Sequence, residues 1–517
     1  MRKLLFVIIL LLAVSVVQAQ GDNAGNEMLG INLAGIADWA TEHPFVDVFK
    51  TARTWISQRD GAEWGQGGEL ALTPEGWVAA LDEGQYAETL MFSADVTMAE
   101  GLDGQYTILY DGEGALAFRG SNVTVVSEEA GRMVVEVRAT QGAVFLQIVE
   151  TNADNPLRNI HFLMPGTEAT YETQPFNPVF LERISRFTAL RFMDWMGTNN
   201  SPISAWADRP LPSDATFAWR GVPVETMVLL ANTVHADAWF NMPHSATDEY
   251  VREFATYVRD HLDADLKAYI EYSNETWNGQ FQQANYVVEQ GLSLNLAEGD
   301  AFWSGLRYHS QRAVEMFAIW EEVFGGTARL VRVLASQAGN AWTGEQVADF
   351  QGAAEHADAL TIAPYFSCDD PGNPSTADQI AALTVDALLD RQMANVQEGG
   401  CAYQYMVDNL SVAQQYGLEL VAYEGGQHLA GYGGAENNQA LTDLFIAANR
   451  HPRMTEIYLT YLRAWQALGG GVFMAFTDAA QPSMFGSWGA LEYIRQDPAD
   501  APKYQALMMF IDALQGE

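Results

Sequence analysis

Two carboxylate-bearing segments, Tyr269-Ile-Glu-Tyr-Ser-Asn-Glu-Thr-Trp-Asn278 and Leu420-Val-Ala-Tyr-Glu-Gly-Gly-Gln-His428, each read as an apolar strand running into a glutamate. Glu275 and Glu424 lie 149 positions apart. A carboxyl pair of this kind suits cleavage of a glycosidic bond, one acid protonating the leaving oxygen while the other, ionised, attacks the anomeric carbon from about 5 to 5.5 Å away. A glutamate just past a strand projects from the end of a parallel sheet, where α/β barrels place their chemistry. Two such ends can converge on one sugar.

The rest of the chain must supply the strands that aim them. Strand-like runs recur at 28–33, 190–194, 238–242, 268–272, 330–334, 359–363, 419–423 and 472–476, with helical periods between them at 249–262, 310–324, 346–356 and 440–448. Alternating strands and helices imply a parallel sheet wrapped by helices. Eight strands make a (β/α)8 TIM barrel the expected α/β fold, with Glu275 after the fourth strand and Glu424 ending the seventh. Between the first and second strands the texture changes. Short alternating segments at 106–110, 122–126, 133–138, 143–149 and 159–163, broken by Gly, Asp and Asn, read as an inserted antiparallel β-sandwich. The expected layout is a signal segment at 1–19, the start of the barrel at 20–66, the inserted module at 67–177 and the remainder of the barrel at 178–517.

The residues that carry the chemistry also resemble a known group. Barrels of the clan A glycoside hydrolases, the retaining set that includes family 5 cellulases, carry an Asn-Glu pair after the fourth strand and a second Glu at the end of the seventh. Asn274-Glu275 and Glu424 match that pattern. The runs Tyr-Ser-Asn-Glu-Thr-Trp-Asn and Tyr-Glu-Gly-Gly-Gln, with Gly486-Ser-Trp-Gly489, further resemble a group of secreted bacterial proteins similar to that clan. The likeness covers residues 28–66 and 178–517. It implies Glu275 as acid/base, Glu424 as nucleophile, Asn274 as a hydrogen-bond partner of the sugar 2-hydroxyl, and Arg191 and Tyr365 as groups that hold Glu424. The chain departs from the pattern in two places. Thr276-Trp277 stands where many members have Pro, and the eighth strand ends Phe476-Thr-Asp478 without a tryptophan platform.

Further candidates follow from position near strand ends. Trp239 and Trp488, and behind them Trp39 and Trp195, have flat rings suited to stacking on sugars. His244, His428, Asp194 and Asp478 are candidate contacts to hydroxyls. A rival reading is a carbohydrate-binding or cell-surface protein on an inactive barrel, since fold alone does not confer function.

Composition narrows the partners. The chain has 517 residues, 48% of them hydrophobic, and a net charge of −39, which becomes −41 once Arg2 and Lys3 leave with the signal segment. Such acidity repels phosphate backbones and anionic membranes, so nucleic acid is not an expected partner. The basic start, apolar run and small-x-small ending at Val17 and Ala19 read as a cleaved secretory leader. The expected product is therefore a secreted, soluble monomer acting on a polysaccharide or oligosaccharide. Cys368 and Cys401, 33 positions apart, are either one disulfide worth about 3 to 4 kcal/mol or two buried thiols. Nine histidines show no ligand spacing, so neither a metal nor another cofactor is expected.

Overall fold

The computed structural model describes residue 23 and residues 25–516. The expected signal segment lies outside the described residues. Eight strands, Leu29–Asn32, Ala189–Arg191, Asp237–Met242, Ala268–Tyr272, Leu330–Ala335, Ala359–Ile362, Glu419–Ala422 and Phe473–Ala475, close a parallel barrel in chain order. The seam joins the first strand to the eighth, with Leu29 opposite Phe473 and Ile31 opposite Ala475.

The strands are short and nearly all apolar because both of their faces are covered. Ile31, Leu190, Phe240, Ile270 and Leu360 point outward into the layer shared with the helices. Ala189, Trp239, Tyr269, Val333, Ala359, Val421 and Met474 point inward and fill the lumen. Gly30 follows from this filling, since a β-carbon there would collide with the Met474 side chain and the Ala189 carbonyl. The helix Asp248–His261 shows how the outer layer is specified. Thr247 caps its first turn, Asp248 and Glu249 sit at its positive end, and Arg259 and His261 at its negative end. Tyr250, Val251, Phe254, Ala255 and Val258 form its buried stripe.

Between the first and second barrel strands the chain builds two four-stranded antiparallel sheets. One orders Ile56–Arg59, Gln85–Phe92, Val144–Thr151 and Gly114–Arg119; the other orders Arg158–Leu163, Gly104–Asp111, Arg132–Val137 and Val123–Glu129. Ala87, Leu146 and Ile148 from the first share one apolar core with Ile108, Met133 and Val135 from the second. The first strand of this module, Ile56–Arg59, lies upstream of residue 67. Its polar sequence, Ile-Ser-Gln-Arg, carries little alternation. Gln85–Phe92 is also absent from the strands read in the sequence, because its outward Glu88 is buried, accepting from Gln58 and Gln147 on the two flanking strands.

Cys368 and Cys401 form a disulfide with Cα atoms 6.1 Å apart. The bridge fastens the loop after the sixth barrel strand to the start of the helix Cys401–Tyr416. Among the described residues no helix is long and apolar enough to cross a membrane.

Candidate active site

The polar residues at the C-terminal end of the lumen are organised by one buried cation. Arg191, the last residue of the second barrel strand, has no solvent exposure. Its guanidinium makes a bidentate pair with Glu271, with contacts of 2.9–3.1 Å, and donates to Glu424 Oε1 at 2.8 Å. It also donates to Asn32 Oδ1 at 3.0 Å and Asn274 Oδ1 at 2.9 Å. Every nitrogen is thus directed at an acceptor. Burial alone would lower the Arg191 pKa, but the charges of Glu271 and Glu424 outweigh it and raise the value above that of free arginine.

Glu271 is held from the opposite side by Trp239, whose indole N–H donates to Glu271 Oε2 at 2.8 Å. Burial raises the Glu271 carboxyl while the Arg191 charge opposes the rise. Trp239 therefore corrects the expectation of a sugar platform. It has no exposure, stacks on Tyr269 with ring centroids 5.0 Å apart, and fills the barrel lumen below the mouth. Its inward position in the strand sets this, for the register places Trp239 beside Arg191. Trp195 is likewise no platform, being enclosed by Phe45, Phe180 and Phe192.

Two tyrosines hold the two glutamates. Tyr365 donates to Glu424 Oε2 at 2.9 Å, and Tyr423 donates to Glu275 Oε1 at 3.0 Å. Asn278 donates to Glu275 Oε2 at 2.9 Å. Burial, then the charges of both glutamates, raises both phenol pKa values, so each tyrosine lies within the field of both carboxylates. Glu424 is 6% exposed, whereas Glu275 stands more open at the mouth. Burial pushes the Glu424 carboxyl up to about 8, with Arg191 opposing and Glu275 adding to the rise.

The turn that presents Glu275 is strained. Ser273 and Glu275 both adopt positive φ, at 60° and 42°, a state costing on the order of 1–3 kcal/mol for each non-glycine residue. Side chains from three elements hold it. Asn241 donates to the Ser273 carbonyl at 2.8 Å, Gln283 donates to the Asn274 carbonyl at 2.9 Å, and Asn274 donates to Asn199 at 3.1 Å.

Other candidates divide between the mouth and its surroundings. The Trp488 ring is half-buried against Tyr365, His428 and Phe476, with centroids 5.1–5.9 Å apart, and so borders the residue that holds Glu424. His428 is exposed beside it. His244 belongs elsewhere, packed edge-on against Tyr286 and outside the Arg191 network. Asp478 is not free for hydroxyls. It is buried, accepts from the Ala34 amide at 3.0 Å and faces Glu42, whose carboxyl has no exposure. Burial, then each other's charge, raises Glu42 well above the carboxylate range, and burial takes Asp478 up to about 6. Trp39 remains 53% exposed with Arg53 over its ring.

Glu271, Tyr423, Asn32 and Asn278 are functional neighbours that the sequence reading omitted. Glu271 carries the clearest available signal, an acid at an inward position of an otherwise apolar buried strand. Among the described residues no group of three or more His, Cys, Asp or Glu side chains is placed to hold a metal ion.

No protein-family model matches the chain, and no curated protein matches it in sequence. Solved structures of similar shape include a 4-O-α-L-rhamnosyl-β-D-glucuronidase from Fusarium oxysporum 12S, at 12% identity over 66% of each chain with a TM-score of 0.40. A Bacteroidetes-affiliated GH5 cellulase matches at 10% identity over 65% of this chain and 85% of its own, TM-score 0.37. The catalytic domain of a GH26 endo-β-1,4-mannanase from Bacillus sp. JAMB-750 matches at 10% identity over 64% and 77%, TM-score 0.36. At such identities and scores the likeness is one of barrel outline and carries no assignment of substrate.

Proposed function

We propose that this chain is a retaining glycoside hydrolase in which Glu424 is the nucleophile and Glu275 the acid/base. The supporting observation is the joint constraint on the two carboxyls: Arg191 and Tyr365 fix Glu424, Tyr423 and Asn278 fix Glu275, and each tyrosine lies in the field of both acids. In the first displacement Glu424 attacks the anomeric carbon while Glu275 gives its proton to the departing oxygen. In the second, Glu275 takes a proton from water and the glycosyl ester is hydrolysed.

Burial raises Glu424 to about 8, so the carboxyl must lose its proton before it attacks. Arg191 and Tyr365 stabilise the charge it then carries.

The substrate reading is a β-linked polysaccharide, β-1,4-glucan first, with mannan and xylan behind it, cleaved by a secreted monomer. Glu275→Gln and Glu424→Gln are expected to lower kcat on the preferred polymer by about 10²–10⁴-fold, with β-configured sugar released first by the wild type in NMR of the products. Equal rates in the three proteins would remove the enzymatic reading, and α-configured product would remove the double displacement.

A further inference from the structure

A cavity of about 490 Å³ opens beside the candidate active site, bounded by Gly35 and Ile36 after the first barrel strand and by Asp194 and Trp219 after the second. Such a volume falls within the range of ligand pockets. It is continuous in sequence with the catalytic network: Gly35 stands three residues beyond Asn32, and Asp194 three beyond Arg191, whose charge reaches the Asp194 carboxyl.

The wall that carries Trp219 is built partly by the antiparallel module. Gly76, in the turn between the module's strands Ala71–Leu72 and Val78–Ala80, lies so near the indole that a β-carbon there would approach its ring to 3.3 Å. The same turn binds the barrel segment through its backbone. Ala215 donates to the Glu75 carbonyl at 2.8 Å, and Arg220 donates to the Pro74 carbonyl at 2.8 Å. Trp219 is nevertheless 42% exposed, with the Arg220 guanidinium 3.8 Å from its ring centre on one side.

The charges lining this space are unbalanced. Among the described residues that line it, Asp194 and Asp208 are acids, while the one cation, Arg220, is already engaged by the Trp219 ring and the Pro74 carbonyl. A carboxylate-bearing sugar entering here meets like charge, whereas a neutral sugar meets an aromatic face and carboxylate acceptors for its hydroxyls.

We infer that this cavity binds neutral sugar units of the same chain that is cleaved, and that the antiparallel module serves catalysis by holding Trp219 in its wall. The inference rests on the glycosidase reading. Asp194 suits the task, since burial raises its carboxyl to about 6 against the pull of Arg191, leaving it able to accept from hydroxyls at neutral pH.

The test uses the full chain carrying Glu275→Gln, titrated calorimetrically at pH 7 with cello-, manno- and xylo-oligosaccharides of two to six units and with hexagalacturonate. The neutral series is expected to tighten with length. Trp219→Ala should remove about tenfold or more of the hexasaccharide affinity, with a loss that shrinks as the chain shortens, and Trp219→Phe should restore most of it. Hexagalacturonate should bind at least tenfold more weakly than the best neutral hexamer and tighten with Asp194→Asn. A Trp219→Ala loss equal at every length, or none, overturns the cavity assignment, and hexagalacturonate binding as well as the neutral hexamers overturns its charge selectivity. If the wild type releases no sugar from any of these polymers, it is the glycosidase reading that fails. If it releases sugar while the length dependence ignores Trp219, only the cavity does.

Discussion

The barrel lumen and the core of the antiparallel module are both sealed from water, yet they are filled on opposite principles. Inside the module, Ala87, Ile108, Met133, Val135, Leu146 and Ile148 meet with no charged partner among them. At the top of the barrel, Arg191, Glu271, Glu424, Asn32 and Asn274 occupy equally buried positions and satisfy one another. The module gains stability from non-directional apolar burial. The barrel end gives up some of that gain, because desolvating ions costs about as much as pairing returns, and obtains in exchange a carboxylate of fixed position. The difference is one between a core held by apolar burial and a cluster held by paired charges.

Removing the cation should test the contrast most severely. Arg191→Met leaves Glu271 and Glu424 without a counter-charge, and urea unfolding should show a loss of about 3–5 kcal/mol; hydrolysis should fall as Glu424 loses its support. A loss below about 1 kcal/mol would mean that the network contributes little. In the module, Ile108→Ala should cost about 2–4 kcal/mol through a cavity, while kcat on a short soluble substrate stays near that of the wild type. If Ile108→Ala instead abolishes turnover, the two regions are not energetically separable.

Acidity provides the subtler probe. Glu424, Glu42 and Asp478 all have native pKa values raised above their unfolded ones, so the native state holds more protons and its stability falls as pH rises from about 4.5 towards 8. Glu424→Gln removes one of these groups, and its Tm relative to the wild type should improve steadily across that window. Wild-type kcat/KM should rise towards pH 8 as Glu424 loses its proton and becomes able to attack. An acid limb that stays flat from about pH 5 to 8, or a Tm difference independent of pH, contradicts the raised Glu424.

Much of the barrel was legible because parallel strands buried on both faces have to be short apolar runs, and the eight read from the sequence coincide with the eight in the closed sheet. Arg191 and Tyr365, which the family likeness singled out, both donate to Glu424. Side-chain direction was the harder property. Trp239 and Glu271 lie on strands correctly located, but only period-two alternation and the barrel register show that both point inward and meet. In the module, Ile56–Arg59 and Gln85–Phe92 escaped notice because cross-strand partners such as Gln58 and Gln147 bury polar outward residues such as Glu88, removing the contrast between wet and dry faces. Asp478 misled for a related reason: its place at a strand end says nothing of the buried Glu42 arriving from a distant loop.

The seam between Leu29–Asn32 and Phe473–Ala475 has a consequence for assembly. These partners stand near opposite ends of the chain, and contacts of such long sequence separation are entropically late to form. On a ribosome the first barrel strand emerges long before either neighbour exists, while the antiparallel module, whose pairings are mostly local, is complete before the second strand is made. The nascent chain therefore carries a finished globule behind an unpaired strand edge, and the ring closes only once the eighth strand, Phe473–Ala475, has been made.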